Sequence, residues 1–377
     1  MTAARPQVPF FPPDLFAADR GLMLDLLQRI GRAPEQRFVL GEHTRRLEEL
    51  LRERYGAADV VACGSGTSAL TLVLGALGIG AGDEVVVPAL GCAPLAACVT
   101  GVGAVPVFAD VDPHTLTVDP CQVERRITVR TAAVMPAHLF SAMADMPRFV
   151  DLARRRGVRL VEDSAVAQGA VLDGRPAGLW GEAGVYSFVQ VKSFGMPGEG
   201  GAVVTRDADL GRRVRMLRNH GQDGHRRFVH HLVGHNSRFD EIQAAFQCRR
   251  LAGLSARLRR RTAIAEHYTE QLAPLAAYGV RTPPPGREGG CPYVYTVLAE
   301  RRNRLARHLR RHGVDSHVYY PLPLPHQPAF APYTAPGDRW PHAERAARHM
   351  LSLPLYPHLT DGQVNRVVAA VKDFVRH

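Results

Sequence analysis

The sequence predicts an α/β protein with a large domain built on a mostly parallel sheet and a smaller C-terminal α/β domain. The main observation is an alternation along the 377 residues, in which short apolar runs rich in β-branched residues are separated by segments of helical pattern. Strands separated by helices form parallel sheets that are covered on both faces. The strand pattern occurs at 59–63, 84–88, 104–108, 132–136, 158–162, 184–188 and 201–205.

The remaining segments predict where the second domain begins. A chain of this length exceeds one typical domain, and a Pro/Gly-rich stretch at 282–290 marks a linker or excursion. Helical patterns cover 20–55, 240–271, 301–312 and the segment after Thr360, and a further strand pattern covers 292–299. We therefore expect an N-terminal region and large domain in residues 1–250, followed by a connecting helix and small domain in residues 251–377.

Composition excludes several classes of protein. The chain is 46% hydrophobic and 22% charged, and no apolar run approaches the roughly 18 residues of a membrane span. The first 16 residues contain four prolines and no apolar core of a secretory signal. The six cysteines are scattered without metal-ligand spacing. We therefore expect reduced thiols, a cytoplasmic location, no metal site and no membrane partner.

A formal net charge of +11 raises the possibility of nucleic-acid binding. The arginines are spread along the chain, however, and no nucleic-acid motif accompanies them. In the densest stretch, 301–311, Leu305 and Leu309 are spaced as on the apolar side of a helix. This stretch predicts a solvated basic face, with a phosphate-attracting rim as the alternative. We predict no nucleic-acid partner.

Lysine is almost absent from the chain. Lys plus Arg total 47, yet Lys192 and Lys372 are the only lysines. Arg stays protonated, whereas Lys can lose its proton and attack a carbonyl to form a Schiff base. Lys192 lies between an apolar run and the glycine-rich turn 198–201, which predicts a pocket rather than the alternative, a surface position. Lys372 lies in a polar helical tail and is expected to be solvated.

Two further motifs have matching chemistry. Residues 64–70 (GSGTSAL) follow a strand and open a helix, so their free N–H groups suit a phosphate, although such turns also carry Gly and Ser for geometry alone. Asp163 ends a strand at the sheet edge where ligands bind. Its carboxylate can keep a pyridine nitrogen protonated, the alternative being a helix N-cap. Together with Lys192, these motifs predict a pyridoxal phosphate site.

In this order the motifs resemble the DegT/DnrJ/StrS-type sugar aminotransferases, which depend on pyridoxal phosphate and have fold type I. The resemblance covers nearly the whole chain and includes GEHT (41–44), GSGTSAL, GIGAGDEVVVPAL (78–90 region), PVFADV (106–111), SFVQVK (187–192), GEGGAVVT (198–205), GHNSRFDEIQAA (234–245) and Leu353-Pro-Leu355. It implies a seven-stranded fold-type I transferase that moves an amino group from glutamate or glutamine to a keto-sugar nucleotide or keto-cyclitol. The setting would be specialised metabolism, such as antibiotic biosynthesis, or cell-surface sugar biosynthesis.

The resemblance also implies roles for individual residues. Lys192 would carry the cofactor as a Schiff base and then shuttle the proton, while Asp163 would pair with the pyridinium nitrogen. Arg238 would bind a donor carboxylate or the sugar nucleotide. The phosphate would be held by two chains of a homodimer with a shared active site, through Ser187, the backbone amides of Thr67 and Ser68, and Asn236 of the partner subunit.

Three positions depart from the family pattern. Val166 stands where Gln or His usually lies near the cofactor's phenolic oxygen, and Cys92 stands where an aromatic ring often stacks on the pyridine. In the substrate loop that begins at Tyr320, Pro325 replaces a common His and His326 is displaced by one. These departures leave open a pyridoxal phosphate-dependent dehydratase or another variant reaction. A non-catalytic regulator of the same fold is a further alternative, although the lysine, aspartate and phosphate motifs are all present.

Overall fold

A seven-stranded sheet forms the centre of the protein, for which a computed structural model describes residues 7–12, 14–140, 142–284, 290 and 292–376. The strands in the described part of the chain are β1 Asp59–Cys63, β2 Glu84–Pro88, β3 Val105–Ala109, β4 Thr131–Val134, β5 Arg159–Asp163, β6 Val171–Leu172, β7 Arg175–Pro176, β8 Ala183–Ser187, β9 Gly201–Thr205, β10 Val280–Arg281, β11 Tyr295–Ala299 and β12 Met350–Leu353. The order in the central sheet is β1-β9-β8-β5-β4-β2-β3. Strand β9 runs antiparallel to both neighbours and the other pairs are parallel. The predicted mostly parallel sheet is confirmed.

Helices cover both faces of this sheet. The described α-helices are α1 Arg20–Arg32, α2 Glu42–Tyr55, α3 Gly66–Ala76, α4 Pro94–Gly101, α5 Pro120–Arg126, α6 Met146–Arg156, α7 Ala208–Leu217, α8 Glu241–Leu251, α9 Leu254–Leu272, α10 Arg302–Arg311, α11 Pro341–His349 and α12 Asp361–Phe374. Short 3-10 helices occur at Ala17–Asp19, Ala273–Tyr278, Leu324–His326 and Ala331–Tyr333. Successive strand residues point to opposite faces. Val61 accordingly belongs to a core cluster with α3, α4 and α7, and Val60 to a cluster with α2 and α8.

Several predicted boundaries are wrong in detail. The helical pattern at 20–55 is divided into α1 and α2, because Pro34 lacks the N–H needed to continue α1. The pattern at 240–271 is likewise divided, with Gly253 between α8 and α9. The strand predicted at 292–299 begins only at Tyr295. Of the predicted linker, residues 285–289 lie outside the described part of the chain.

A second sheet and its helices form a separate hydrophobic core near the C-terminus. Strands β10, β11 and β12 pair antiparallel in that order, and a buried cluster joins them to α9, α10 and α12 through residues such as Tyr268, Leu305, Leu309 and Val367. This separate core supports the proposed domain division at residue 250, which stays a prediction. Within the described residues, no helix combines the length and apolar character that crossing a membrane requires.

Candidate active site

Lys192 and Asp163 meet at the carboxyl-terminal edge of the central sheet. Asp163 is the last residue of β5 and is buried, and Lys192 lies in the loop that follows β8. Burial lowers the pKa of the Lys192 amine, while the negative charge of Asp163 acts in the opposite direction. Burial also raises the pKa of Asp163, against a hydrogen bond from the Ala165 N–H and the charge of Lys192. The two groups therefore share one enclosed electrostatic environment.

The Lys192 amine has no hydrogen-bond acceptor among the described residues. Its Nζ lies 4.7 Å from the centroid of the Tyr293 ring, which covers one side of the amine. The Tyr293 hydroxyl is in turn 3.2 Å from the hydroxyl of Tyr319. A largely buried amine without an acceptor is costly to keep protonated. The position therefore favours a neutral amine that can react.

Glu162 and Asp163 are neighbours in β5, and their carboxylates have different partners because they lie on opposite faces of the strand. Glu162 is fully used by the protein, since it accepts hydrogen bonds from the backbone N–H groups of Gly178, Trp180 and Gly181 and lies 3.2 Å from His138 Nε2. Asp163 accepts only the Ala165 N–H, at 3.0 Å, among the described residues. No helix begins after Asp163, so the alternative that it is a helix N-cap is wrong.

The amino-terminal end of α3 forms the predicted phosphate turn, with one change of detail. Ser65 and Ser68 cap the helix reciprocally: the Ser68 N–H donates to Ser65 Oγ at 3.0 Å and the Ser65 N–H to Ser68 Oγ at 3.1 Å. The Ser68 amide is therefore already engaged. The amides of Gly66 and Thr67 have no partner among the described residues, and they are the free donors at this helix end.

Ser187 closes the same turn from the end of β8. It is buried, and a Cβ atom added to Gly66 would lie 3.0 Å from Ser187 Cβ. A Cβ atom added to Gly201 would lie 2.7 Å from the Gly66 nitrogen. Glycine at both positions thus lets backbone and hydroxyl approach closely and leaves a small cradle of donors.

Asn236 and Arg238 lie beside this cradle but face outward. The intervening Ser237 is buried, with its Oγ 2.7 Å from Ser68 Oγ and accepting the Gly64 N–H at 3.1 Å. The Asn236 side chain is exposed, and its Oδ1 accepts a hydrogen bond from Arg238 Nε at 3.0 Å. Ser237 thus anchors the segment to its own chain, while its two neighbours are free to contact another molecule.

Cys92 and Tyr320 complete the cluster around Asp163. Burial, followed by the charge of Asp163, raises the pKa of the Cys92 thiol, and Lys192 acts in the opposite direction. Burial raises the pKa of Tyr320 well above its usual value, and Cys92 and Asp163 add to that shift. Val166, in the turn after Asp163, is half-buried against the main hydrophobic core. The structure therefore brings Cys92, Tyr320, Asp163 and Lys192 together.

His326 is not part of this cluster. Its ring is exposed, with Nε2 3.0 Å from Glu344 Oε1 and the ring centroid 5.7 Å from that of Trp340. Among the described residues it contacts none of the cluster. The neighbouring Pro325 is buried instead, because the short helix Leu324–His326 turns the histidine outward. A substrate role for His326 stays a prediction without support from its contacts.

Sequence patterns did not single out Gln168, Tyr293 or Ser237. Gln168 is buried and joins two parts of the site, since its Nε2 donates to the Ser187 carbonyl at 2.7 Å and its Oε1 accepts from Ser193 Oγ at 3.2 Å. It therefore holds the end of β8 against the loop that carries Lys192. Tyr293 follows the Lys192 loop by about one hundred residues, so only tertiary packing could reveal it.

These groups match the three parts of pyridoxal phosphate. A neutral amine suits the aldehyde carbon, a buried carboxylate with an open oxygen suits the ring nitrogen, and free amides beside a hydroxyl suit the phosphate. With a fold-type I sheet, the arrangement defines a pyridoxal phosphate-dependent aminotransferase. The chain belongs to the DegT/DnrJ/EryC1/StrS aminotransferase family, whose family model matches residues 27–372.

Comparison with known proteins agrees with this class. A dTDP-3-amino-3,4,6-trideoxy-alpha-D-glucose transaminase of Streptomyces venezuelae is 40% identical over 375 residues, covering 99% of this chain and 97% of its own. A pleiotropic regulatory protein of Geobacillus stearothermophilus is 38% identical over 344 residues, covering 90% and 91% of the two chains. The crystal structure of S. venezuelae DesV in complex with a ketimine intermediate superposes with a TM-score of 0.92 at 38% identity and covers 99% of both chains.

Proposed function

We propose that the protein transfers an amino group from glutamate or glutamine to the keto group of a sugar nucleotide or a keto-cyclitol. The observation that carries the proposal is the amine of the half-buried Lys192 beside the buried Asp163, at the edge of a fold-type I sheet. The S. venezuelae relative, whose name is that of a nucleotide-sugar transaminase, supports a sugar nucleotide as acceptor.

Different residues of the site have different roles in the proposed reaction. When bound, pyridoxal phosphate supplies an electron-withdrawing ring that acidifies the donor's Cα–H. The Asp163 carboxylate keeps the ring nitrogen protonated, an effect that its burial strengthens. Lys192, with its lowered pKa, would accept the proton from the donor's Cα and deliver it to the carbon that was the cofactor's aldehyde. Cys92 and Tyr320 line the cleft beside these two groups.

The phosphate is held at the start of α3. The free amides of Gly66 and Thr67 and the hydroxyl of Ser187 face this point, and the positive end of the helix favours a dianion. The exposed Asn236 and the adjoining Arg238 support a homodimer in which each chain completes the site of the other. In that dimer Arg238 supplies a cation for the donor carboxylate or the nucleotide.

Variant chemistry and regulation are the second candidates. A dehydratase is favoured by Val166, which removes a polar neighbour of the phenolic oxygen, and a regulator by the name of the G. stearothermophilus relative. Retention of Lys192, Asp163 and the free phosphate donors favours amino transfer over both. The free cysteines among the described residues support a reducing cytoplasm, where antibiotic or cell-surface sugars are assembled.

Chemical labelling tests the proposed role of Lys192. Borohydride reduction of the purified holoenzyme should fix the cofactor to Lys192, because only a neutral amine in the site can bond to the aldehyde carbon. The chain contains only two lysines, so peptide mapping assigns the label directly. Lys192→Ala should remain unlabelled, whereas Lys372→Ala should be labelled like the wild type.

Substrate screening completes the experiment. Glutamate or glutamine should bleach the visible absorbance of the bound cofactor, and the correct keto acceptor should restore it with formation of an amino sugar or amino-cyclitol. A dehydratase would instead release a deoxygenated keto product, and a regulator would show no bleaching with either donor. A label found outside Lys192 would contradict the assignment of the site itself.

A further inference from the structure

Two histidines and one aspartate converge where two helices of the C-terminal core meet. His308 lies on α10, His312 is the residue that caps the end of α10, and Asp373 lies on α12. His308 Nε2 is 3.2 Å and His312 Nε2 is 3.5 Å from Asp373 Oδ2. The three potential ligand atoms all lie within 4.8 Å of one another. The cluster thus joins two helices that are separated by about 50 residues of sequence.

Helix geometry explains the arrangement. Residues four apart lie one above the other on the same face of a helix, and the two imidazole rings stack with centroids 4.2 Å apart. Helix α10 packs against α12 through its buried Leu305 and Leu309, and the His308 ring lies 5.5 Å from that of Phe374. The packing that buries the apolar side of α10 therefore also aligns its histidines with Asp373.

The hydrogen bonds of the histidines set their tautomers. His312 Nδ1 lies 2.9 Å from the backbone carbonyl of His308, which can only accept, so this nitrogen carries the proton. His308 Nε2 is buried and makes no hydrogen bond of good geometry with the described atoms, although Asp373 Oδ2 lies 3.2 Å away. The other ring nitrogen of His312, Nε2, faces Asp373 Oδ2 at 3.5 Å and is the atom available to bind a cation.

The separations suit a tetrahedral metal ion. Zinc–nitrogen and zinc–oxygen bonds of about 2.0–2.1 Å place neighbouring tetrahedral ligands about 3.3 Å apart, close to the two measured separations. Two imidazoles and a carboxylate form a ligand set that suits Zn²⁺ and its neighbours in the first transition row. A backbone carbonyl on the remaining ring nitrogen is the usual support of a metal-bound histidine.

We propose that His308, His312 and Asp373 bind one divalent transition-metal ion, Zn²⁺ in the first place, with water as the fourth ligand. The ion ties the end of α10 to α12 and so stabilises the C-terminal core. The arginines of α10 oppose this binding, since Arg311 lies close enough to act on His308. The competing arrangement is a plain ion pair between a protonated histidine and Asp373, with no metal.

Calorimetric titration with Zn²⁺ tests the proposal. The protein is the tag-free holoenzyme, from which bound metal has been stripped with a chelator and the chelator then removed. We expect one equivalent to bind, and to raise the thermal unfolding temperature. His312→Ala and Asp373→Asn should each weaken Zn²⁺ binding by at least about tenfold, because removal even of an outer-shell partner costs that much. Substitution with Co²⁺ should give the visible band of a tetrahedral ion, beyond the absorption of the cofactor.

His349→Ala is the matched control. Its Nδ1 contacts the carbonyl of Arg345, four residues earlier, at 2.8 Å, as His312 contacts His308, but no second ligand faces it among the described residues. This variant should bind Zn²⁺ like the wild type. Because His312 is half exposed, its substitution tests the site even if His308→Ala fails to fold. The proposal is overturned if the wild type binds no Zn²⁺, or if His312→Ala and Asp373→Asn bind it unchanged.

Discussion

Lys192 shows at the residue scale why lysine persists in a chain that otherwise uses arginine. Burial lowers the pKa of its amine and the negative charge of Asp163 raises it, so the protonation of Lys192 is set by two opposing effects. An arginine at this position would stay charged and could not react. The scarcity of lysine therefore marks a position where the neutral form of the base is required.

The opposing effects on Lys192 predict a pH dependence. In the cofactor-free protein, we expect Lys192 to react with an amine reagent at a pH below the ordinary lysine value of 10.5, because burial lowers its pKa. Asp163→Asn should lower that pH further, since it removes the negative charge that favours the protonated amine. Mass spectrometry of the label at Lys192 as a function of pH measures both shifts.

Glu199→Gln serves as the control for this titration. Glu199 acts on Lys192 in the same direction as Asp163 but more weakly, so its substitution should cause a smaller shift of the same sign. A reaction midpoint for Asp163→Asn at or above that of the wild type would contradict the electrostatic account.

The start of α2 shows at the element scale how a distant carboxylate fixes a helix. Glu241, the first residue of α8, is buried and accepts the N–H groups of Gly41, His43 and Thr44 at 2.7, 2.8 and 2.9 Å, as well as the Thr44 hydroxyl. A negative charge at a helix start is stabilising. A Cβ atom on Gly41 would lie 2.7 Å from the Glu241 carboxyl carbon. The backbone N–H groups of the GEHT motif (41–44) thus bind the carboxylate of Glu241, which ends the segment GHNSRFDE (234–241).

Removal of this charge should destabilise the protein measurably. We expect Glu241→Gln to lower the free energy of unfolding by about 1.5–3 kcal/mol, since a buried charged acceptor loses its ionic hydrogen bonds and an amide N–H₂ faces backbone donors. Urea unfolding of the two proteins measures the difference.

Glu49→Gln provides the comparison, because Glu49 lies on α2, the helix whose start Glu241 contacts. Among the residues that the structure describes, the exposed Glu49 pairs only with the exposed Arg46, so the change should stay within about 0.5 kcal/mol. Equal effects of the two substitutions would show that the Glu241 contacts contribute no special stability.

The whole molecule depends on a second chain if Asn236 and Arg238 act as proposed. Both lie next to the phosphate turn of their own chain, held there by Ser237, and their side chains bond to each other, with Asn236 exposed and Arg238 half-buried. In a homodimer with two-fold symmetry, the same surface segment of both chains takes part in the interface, so each chain can offer these residues to its partner. A cofactor site at the interface would couple cofactor binding to assembly.

Mixing of inactive chains tests the shared site. Lys192→Ala and Asn236→Ala homodimers should each be impaired, whereas their heterodimers contain one intact site, made of Lys192 from one chain and Asn236 from the other. Activity should therefore appear on chain exchange, measured with a donor and acceptor pair from the screen.

Lys192→Ala mixed with Asp163→Asn is the matched control, because these two residues act within one chain and no heterodimer then holds an intact site. Rescue in this control, or its absence in the first mixture despite demonstrated exchange, would exclude a site completed by Asn236 of the partner subunit.

Much of this protein follows from its sequence alone, because the relevant signals are local. Alternating apolar runs specify strands and helices through their periodicity, and side-chain chemistry singles out Lys192, Asp163 and the turn at 64–70. Only the tertiary structure decided which groups are already engaged: Glu162 and the Ser68 amide are satisfied within the protein, while Gln168 and Tyr293 approach the site from distant parts of the chain. The reason is physical, since periodicity and residue type act over a few residues, whereas hydrogen-bond partners across a fold depend on how its elements pack.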